Sequence, residues 1–525
     1  MTWHHLTHGT DGLVLAWLLV AVPFWVVLWQ RRAPLGRWVL SPVIAAVLGV
    51  VAGVVELILY GILHAHAGLA GNGAGDIALS FGCFLVAGYG GGRLVTRTWP
   101  GEAHLRGTVV TGRSPAALRE DGLTLAGVAV AAEDECKHFK LIGTTGTGKS
   151  TAIRELLDGA LRRGDRAIIA DPDGGYLQRF HQPYRGDVIL NPFHPDSLRW
   201  DPLREIENAY DVEQLVGALI PAGEEASARE WRGYARMFMT VILKHCQAES
   251  RDVAELLRLL VVATSEELRP IVAGTPAQPF LEPDSAKMFG SVRSVAASAV
   301  AALEYVRDQR AESFSVRQWV RGGHGVLFLP YRADQIAALR GLVAAWVRLA
   351  IFEAMCWPEG DQRLWFVVDE LDALGAIDGL KDALARLRKF GGRCVLGFQS
   401  IAQVSSTYGK GEAHTIVENC ANTLILRCSG SEGGGTAKFA SELIGDREVL
   451  RAEHSQGRTH PSILSKNSGS RTEGVSYRRV REPAVMASQI EQLPDMAGYL
   501  KLASQPYWMA VSIARPAREP RIEDT

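Results

Sequence analysis

The feature that most constrains the fold of this chain is a glycine-rich segment between a predicted strand and a predicted helix. Residues 138–142 predict a strand, and residues 150–162 predict a helix that ends at Gly164. The segment between them matches the pattern GxxxxGK(S/T) in full. Glycines in such a loop let backbone N–H groups close around phosphate oxygens. The predicted phosphate-binding residues are Gly143, Thr144, Thr145, Gly146, Thr147, Gly148, Lys149, Ser150 and Thr151.

Two side chains of this loop carry the expected chemistry. The ammonium of Lys149 would reach the β- and γ-phosphates of a nucleotide, and the hydroxyl of Ser150 would bind Mg²⁺. A strand, this loop and a helix in that order predict a nucleotide-binding α/β domain that uses Mg²⁺.

A second apolar run, residues 364–368, is followed by Asp369 and Glu370. Such runs are typical of strands buried on both faces of a parallel sheet. Asp369 would hold the metal through its water shell, and Glu370 would polarise the attacking water. Together with the phosphate-binding loop, this pair predicts a nucleotide hydrolase.

Two further polar residues follow predicted strands, and each leaves two interpretations open. Asp171 follows residues 166–170, at the strand end that faces the ligand crevice of a parallel sheet, but its surroundings also fit a simple turn. Gln399 follows residues 393–398. It would either sense the γ-phosphate or orient water, as glutamine does in other nucleotide hydrolases, or only cap a helix or face solvent.

A basic helix is predicted between these last two strands, at residues 376–390. It carries Lys381, Arg386, Arg388 and Lys389. In a ring of subunits, one such cation could reach a neighbour's phosphate as an arginine finger. The alternative is that all four are surface charges with no catalytic role.

The spacing of the two main motifs leaves room for an inserted domain. Asp369 lies 220 residues after Lys149, whereas one strand–helix–strand unit needs only about 30 residues. Residues 201–312 have apolar side chains at helical spacing, so we expect an all-α domain there. Residues 101–200 and 313–525 would then form the nucleotide-binding domain.

Residues 1–100 are much more apolar than the rest and predict a transmembrane anchor. Three runs, at residues 13–29, 39–63 and 77–95, contain at most one charged side chain each. A spanning helix needs about 20 apolar residues. Three spans with the N-terminus outside place the arginines at 31, 32, 37, 93, 97 and 106 in the cytoplasm, as the positive-inside rule expects. Two spans are the alternative, because glycine dilutes the third run.

The charge balance excludes a disordered chain and a globally basic nucleic-acid binder. The 56 Lys and Arg residues are matched by 57 Asp and Glu residues, and 47% of the chain is hydrophobic. Any contact with nucleic acid must therefore use a local patch. Residues 447–481 hold eight basic and three acidic residues, which fits either a solvated loop or a contact with a nucleic-acid backbone.

These motifs resemble the coupling-protein ATPases of bacterial conjugation and type IV secretion, of the TrwB/TraD type. The resemblance extends from about residue 123 to near the end of the chain. Beyond the phosphate-binding loop, its blocks are residues 123–130, 171–174, 230–231, 314–319, 364–371, 397–400 and 465–467.

The resemblance implies a RecA-like P-loop NTPase domain with an inserted all-α domain and an N-terminal transmembrane helical segment. It implies a homohexamer in the bacterial inner membrane, multi-pass, with the ATPase domain in the cytoplasm. The cofactors would be ATP and Mg²⁺. The activity would be a DNA-dependent ATPase that couples the relaxase-bearing relaxosome to inner-membrane channel components of the secretion system. It would pump single-stranded DNA, with double-stranded DNA as an alternative substrate.

The resemblance also assigns roles to individual residues. The family's nucleotide site matches this sequence at Lys149, Ser150, Asp369, Glu370 and Gln399. Arg388 falls where the family places its trans-acting arginine. The implied catalytic residues are Lys149, Glu370, Gln399 and Arg388, and the implied metal-binding residues are Ser150 and Asp369.

Two other interpretations fit parts of the sequence. A DNA translocase of the FtsK/HerA type would predict four spans, a long linker and a winged-helix domain, and none of these is evident in the sequence. A second alternative is a non-hydrolytic receptor that docks secretion substrates onto the channel. Such a receptor would not need the residues of ATP hydrolysis, so the presence of Lys149 with Ser150 and of Asp369 with Glu370 argues against it. DNA-stimulated ATP turnover would separate the alternatives.

Overall fold

The computed structural model describes residues 10–30, 35–67, 73–95, 102–112, 122–222, 225–360, 362–431, 434–458 and 471–514. The chain forms two compact units. One comprises Met1–Ala103 with Leu450–Arg479, and the other comprises His104–Val449 with Val480–Thr525. The finer predicted division into an anchor, a nucleotide-binding domain and an inserted all-α domain stays a prediction.

The helices of the first unit are α1 (Thr10–Gln30), α2 (Leu35–Ala67) and α3 (Gly73–Val95). The other helices are α4 (Ala132–Glu135), α5 (Lys149–Arg162), α6 (Gly175–Phe180), α7 (Ala209–Leu219), α8 (Ala226–Ala248), α9 (Val253–Leu257), α10 (Ser265–Val272), α11 (Ala286–Val300), α12 (Leu303–Arg307), α13 (Val316–Gly322), α14 (Ile336–Ala354), α15 (Leu380–Leu387), α16 (Ile401–Tyr408), α17 (Lys410–Asn419), α18 (Gly435–Ile444) and α19 (Ala487–Glu491). The strands are β1 (Glu102–Gly107), β2 (Val110–Thr111), β3 (Thr124–Leu125), β4 (Val128–Ala129), β5 (Phe139–Ile142), β6 (Arg166–Pro172), β7 (Val188–Ile189), β8 (Arg199–Trp200), β9 (Ser313–Phe314), β10 (Val326–Tyr331), β11 (Leu364–Val368), β12 (Gly392–Phe398), β13 (Asn422–Ile425), β14 (Asp446–Arg458), β15 (Arg471–Pro483), β16 (Ala497–Lys501) and β17 (Trp508–Ser512).

The three N-terminal apolar runs each form a helix, but only one is long and apolar enough to cross a membrane. In the described part of the chain that segment is Leu40–Leu59 in α2, with a mean hydropathy of 2.5. The apolar part of α1, Val14–Gln30, is shorter. α3 does not qualify, because its glycines and charged residues lower its mean hydropathy. The expectation of three spans, and with it a multi-pass anchor, is therefore corrected to one candidate span.

The glycines of α3 serve helix packing. A Cβ atom at Gly88 would lie 2.3 Å from the backbone oxygen of Val20, and one at Gly92 would lie 2.9 Å from the Cβ of Val27. Glycines spaced by four residues lie on one face of a helix and let a second helix approach closely. The composition that weakens α3 as a span thus allows its close contact with α1.

Ten strands of the second unit form one sheet in the order β2-β17-β16-β13-β5-β12-β11-β6-β10-β7. All pairs from β13 to β7 are parallel, as the near-continuous apolar runs predicted. Along β11, Leu364, Phe366 and Val368 pack into one hydrophobic core, and Trp365 and Val367 pack into a second core. The sheet is therefore buried on both faces.

The described elements between β8 and β9 are all helical, as the apolar spacing predicted. The buried carboxylate of Glu205 ties the two ends of this helical segment together. It accepts hydrogen bonds from the indole of Trp200 (2.8 Å), the hydroxyl of Ser315 (3.0 Å) and the backbone N–H groups of Val316 (2.7 Å) and Arg317 (3.1 Å). Burial raises the pKa of Glu205, and these donors oppose the shift. The sequence block at residues 314–319 therefore anchors the helical segment.

The basic segment at residues 447–481 is a strand pair where the structure describes it. β14 and β15 have 13 residues each and form a three-stranded sheet with β1. Arg447 pairs with Glu482, and Arg481 pairs with Asp446, each at 2.8 Å. The solvated-loop interpretation is wrong for these strands, and residues 459–470 lie outside the described residues. The alternative, a contact with nucleic acid, stays a prediction.

A buried histidine connects the amino end of β5 to the basic helix α15. His138 is 2% exposed, and its Nε2 donates to the carbonyl oxygen of Leu384 at 2.9 Å. Its Nδ1 accepts the backbone N–H of Cys394 at 3.1 Å. Burial lowers the pKa of His138 to about 4, and the charges of Arg388 and Arg393 act in the same direction. The imidazole therefore stays neutral, because both ring nitrogens already have partners that suit the neutral form.

We predict that acid destabilises the protein through His138. The pKa of this residue is about 4 in the folded chain against about 6.5 in the unfolded chain, so the unfolded state binds more protons between these values. The contribution of His138 to the free energy of unfolding should be complete above about pH 6.5. About 3 kcal/mol of it should be lost as the pH drops towards 4. The measurement is thermal unfolding of the full-length protein near neutral pH and near pH 5.

His138→Asn is the control for this prediction. Asparagine tolerates the positive φ of 55° at this position and can still accept the N–H of Cys394. The variant should be less stable than the wild type at neutral pH but should lose less stability on acidification. Equal losses in the two proteins would show that another group causes the acid sensitivity.

Candidate active site

The predicted site residues come together at one edge of the sheet. The phosphate-binding loop follows β5, Gln399 follows β12, Asp369 and Glu370 follow β11, and Asp171 lies near the end of β6. These four strands are neighbours in that order, and all of them are parallel. The carboxyl ends of parallel neighbours meet at the same edge, so segments far apart in sequence converge there.

The phosphate-binding loop has a backbone shape that glycine permits. Gly146 and Gly148 have φ angles of +78° and +112°, a region in which a side chain would be strained. Lys149 is the first residue of α5, so the first N–H groups of that helix point into the loop. The ammonium of Lys149 donates to the carbonyl oxygens of Gly143 (2.5 Å) and Thr144 (3.3 Å).

The carboxylate of Asp369 accepts hydrogen bonds from two side chains of the site. Its Oδ2 accepts the hydroxyl of Ser150 at 2.6 Å and the hydroxyl of Tyr176 at 2.8 Å. Burial lowers the pKa of Lys149, and the charges of Asp369 and Glu370 oppose that shift. Hydroxyl and carboxylate oxygens are the ligands that Mg²⁺ prefers, so Ser150 and Asp369 fit a magnesium site.

Glu370 and Gln399 form a connected pair beside the loop. The side-chain amide of Gln399 donates to Oε1 of Glu370 at 2.5 Å, and its Oε1 accepts the hydroxyl of Thr145 at 2.9 Å. Burial raises the pKa of Glu370, and the carboxylate of Asp372 acts in the same direction. A raised pKa brings a carboxyl group closer to the value that suits a general base. These contacts favour a role for Gln399 at the site over a solvent-facing one.

Asp171 lies behind the cavity and not in its wall. Its side chain is fully buried and accepts the N–H of Tyr176 at 3.0 and 3.1 Å and the N–H of Leu177 at 2.7 Å. Burial raises the pKa of Asp171 to about 6. Its bonds fix the start of α6, which agrees with the turn interpretation. A direct contact between Asp171 and a nucleotide stays a prediction, since Pro172 and Asp173 line the cavity instead.

A cavity of about 400 Å³ lies at this edge of the sheet. The predicted residues in its wall are Thr145, Gly146, Gly148, Lys149, Ser150, Thr151, Asp369, Glu370 and Gln399. Thr147 and Thr144 support the loop from behind, because the hydroxyl of Thr147 donates to the carbonyl of Thr144 at 2.7 Å. Backbone donors, an ammonium, a hydroxyl and two carboxylates in one cleft fit a nucleotide with Mg²⁺.

The structure adds residues to this wall that were not among the predicted site residues, although Pro172 and Asp173 lie in the family block at residues 171–174. They are Arg154, Pro172, Asp173, Gly175, Tyr176 and Met496. Met496 precedes β16, has a positive φ of 66°, and donates its N–H to the carbonyl oxygen of Thr147 at 3.0 Å. No sequence signal marks Met496, because this contact joins distant parts of the chain. Helical spacing from Ser150, four residues earlier in α5, could have suggested Arg154.

Arg388 lies at the opposite edge of the sheet from this cavity. It follows α15, which begins at Leu380 after Gly379 and not at residue 376, and it precedes β12. The seven residues of β12 span about 23 Å and end next to Gln399. The exposed side chain of Arg388 cannot cover that distance, so it does not act in the site of its own chain.

The fold and the site define a RecA-like P-loop nucleotide-binding protein. The strand before the phosphate-binding loop and the strand before the Asp369–Glu370 pair lie in one parallel sheet, with β12 between them. The sequence pattern of the type IV secretion-system coupling protein DNA-binding domain matches residues 122–513. The chain therefore belongs to the type IV secretion-system coupling proteins, and the resemblance seen in the sequence is confirmed.

One curated relative is the coupling protein TraD of Escherichia coli (strain K12). It is 30% identical over 400 residues, which cover 73% of this chain and 54% of TraD. The chain thus spans about half the length of that relative.

Solved structures of the coupling protein TrwB are also similar. TrwB in complex with the non-hydrolysable ATP analogue ADPNP is 30% identical, with a TM-score of 0.69 over 81% of this chain and 98% of that chain. TrwB in complex with ADP and Mg²⁺ is 31% identical, with a TM-score of 0.68 over 79% of this chain and 96% of that chain. These matches confirm the predicted NTPase fold, and the two complexes confirm ATP and Mg²⁺ as the ligands expected of the family.

Proposed function

We propose that this chain is a membrane-anchored, hexameric, DNA-dependent ATPase. It would couple the relaxosome to the channel of a type IV secretion system and pump single-stranded DNA during conjugation. The observation that carries the proposal is the convergence of Lys149, Ser150, Asp369, Glu370 and Gln399 at one edge of the sheet. The names of the relatives, coupling protein TraD and conjugative coupling protein TrwB, support a role in DNA transfer.

The contacts of these residues suggest which role each would have in ATP hydrolysis. Lys149 would exchange its loop carbonyl partners for β- and γ-phosphate oxygens. Ser150 and Asp369 would hold Mg²⁺, which supplies positive charge opposite the phosphates. Glu370 would polarise the attacking water, and Gln399 would fix the carboxylate of Glu370 through its 2.5 Å hydrogen bond.

A ring of subunits would complete the site from outside. Arg388 is exposed at the edge of the sheet opposite to its own cavity, so only a neighbouring chain could use it there. An arginine supplied in trans stabilises the charge that develops on the transferred phosphoryl group. This placement supports a hexamer in which each nucleotide lies between two subunits.

The segment Leu40–Leu59 would anchor the protein in the inner membrane. It is apolar, and only 11% of it is buried inside the protein, so most of its surface is available to lipid. DNA would meet local basic patches, because the net charge of the chain is −1. Arg478, Arg479 and Tyr477 of β15 are exposed and combine the charges and the aromatic face that single-stranded DNA favours.

Lys149→Ala should abolish both ATP hydrolysis and DNA transfer while leaving membrane insertion intact. The lysine contributes charge to the phosphates and little to packing. The measurements are ATP turnover with and without single-stranded DNA, and transfer in a mating assay. Lys244→Ala, at an exposed position of α8, is the control and should behave like the wild type. Normal transfer by Lys149→Ala would instead favour the non-hydrolytic receptor.

Arg388→Ala should bind ATP normally and hydrolyse it about 10³–10⁵ times more slowly. The finger would act only in the transition state, so nucleotide affinity should change little. The measurements are equilibrium nucleotide binding and ATP turnover. Arg386→Ala, at an exposed position near the end of α15 and two residues before Arg388, is the matched control and should retain its activity.

Mixed rings test whether Arg388 acts in trans. Arg388→Ala subunits keep an intact phosphate-binding loop, and Lys149→Ala subunits keep an intact finger. Mixing the two should therefore restore some complete sites and some ATP turnover. Mixed rings as inactive as either parent would contradict the trans assignment.

A further inference from the structure

The segment after β6 places a tyrosine hydroxyl on the carboxylate of the predicted metal site. Tyr176 is 1% exposed, and its hydroxyl lies 2.8 Å from Oδ2 of Asp369. The same oxygen accepts the hydroxyl of Ser150 at 2.6 Å. One carboxylate oxygen is thus held by two side-chain donors, of which only Ser150 belongs to the phosphate-binding loop.

Three contacts fix the position of Tyr176. Both carboxylate oxygens of Asp171 accept its backbone N–H, at 3.0 and 3.1 Å. The guanidinium of Arg154 lies over its ring, 5.2 Å from the centroid. A Cβ atom at Gly175 would lie 2.7 Å from that guanidinium, so glycine leaves room for the stack. The hydroxyl is therefore presented by a ring and a backbone that are both held in place.

Tyr176 is the donor in its bond to Asp369. A phenol carries its proton near neutral pH and can donate it, whereas a carboxylate oxygen accepts. The hydroxyl of Tyr176 therefore donates to Oδ2 of Asp369 at 2.8 Å. A carboxylate held by two donors on one oxygen has little freedom to rotate.

We propose that Tyr176 is a positioning residue that holds Asp369 in the orientation in which it and Ser150 bind Mg²⁺. The proposal rests on the proposed ATPase function, since it concerns the metal that accompanies the nucleotide. Removing a group that orients a metal-binding side chain typically costs about 10–100-fold in metal affinity or activity. It also gives a role to Asp171, which would act on the metal site through Tyr176.

Tyr331, at the end of β10, supplies a matched control. It is 4% exposed, and it pairs in the sheet with Pro172, which lines the cavity. In the described part of the chain the hydroxyl of Tyr331 has no hydrogen-bond partner. Tyr331→Phe therefore removes a phenolic hydroxyl, as Tyr176→Phe does, but leaves the hydrogen bonds of Asp369 unchanged.

The test measures binding of a fluorescent ADP to the full-length protein while Mg²⁺ is titrated. Tyr176→Phe should need about tenfold more Mg²⁺ for half-maximal binding, and its affinity for the nucleotide without Mg²⁺ should not change. Tyr331→Phe should match the wild type in both measurements. An unchanged Mg²⁺ requirement in Tyr176→Phe would overturn the proposal. Equal losses of nucleotide affinity with and without Mg²⁺ would also overturn it, because Tyr176 would then only line the cavity and would not act on the metal site.

A double variant shows whether the effect passes through Asp369. If it does, Tyr176→Phe should add nothing to the Mg²⁺ defect of Asp369→Asn, and additive defects would contradict the proposal. Wild-type protein that binds ADP with Mg²⁺ but hydrolyses no ATP would refute the proposed ATPase and leave the result for Tyr176 standing. Wild-type protein whose nucleotide binding does not depend on Mg²⁺ would overturn both.

Discussion

The parallel pairing of β5, β12, β11 and β6 is the constraint on which the site depends. The pairing sets Val368 opposite Leu396 on one side and Ala170 on the other, so the polar residues after these strands emerge side by side. Gly397 makes the alignment possible, because a Cβ atom there would lie 2.2 Å from the carbonyl oxygen of Asp369. These strands are buried on both faces, so a slip by one residue would exchange the side chains of the two cores. The two hydrophobic cores thus hold the strand ends that carry the candidate site in register.

The strands of this sheet could be predicted because the local sequence of each one indicates a buried strand. β11 has the bounds that its apolar run predicted, and β5, β6 and β12 differ from prediction by one or two residues. Apolar residues form all of β11 and most of β5, β6 and β12, and each run ends at a polar residue or a glycine, a pattern set by burial on both faces. The loop and the Asp369–Glu370 pair could be placed for the same reason, since both follow directly from strand ends.

The remaining features depend on contacts between distant segments. Tyr176 resembles any aromatic residue of a short helix until the sheet brings Asp369 next to it. The segment at residues 447–481 is rich in Ser, Gly and Thr, and its composition fits either a loop or a contact with nucleic acid. In the structure, β14 pairs with both β15 and β1. β-structure of this kind is decided by the neighbouring strand more than by local propensity. Hydropathy alone likewise gives no sign of what the glycines of α3 do, because their close approach to α1 depends on how the two helices pack.

The contact between Met496 and Thr147 has a consequence for the order in which the protein matures. Met496 follows Thr147 by 349 residues, and translation at about 5–20 residues per second separates their synthesis by roughly 17–70 s. During that interval the phosphate-binding loop lacks one wall of its cavity and the backbone partner of Thr147. The apolar segment Leu40–Leu59 is made before either of them. A nascent chain therefore has its candidate membrane segment available long before its nucleotide cavity can be completed, so nucleotide binding at the finished site is a late event in biogenesis.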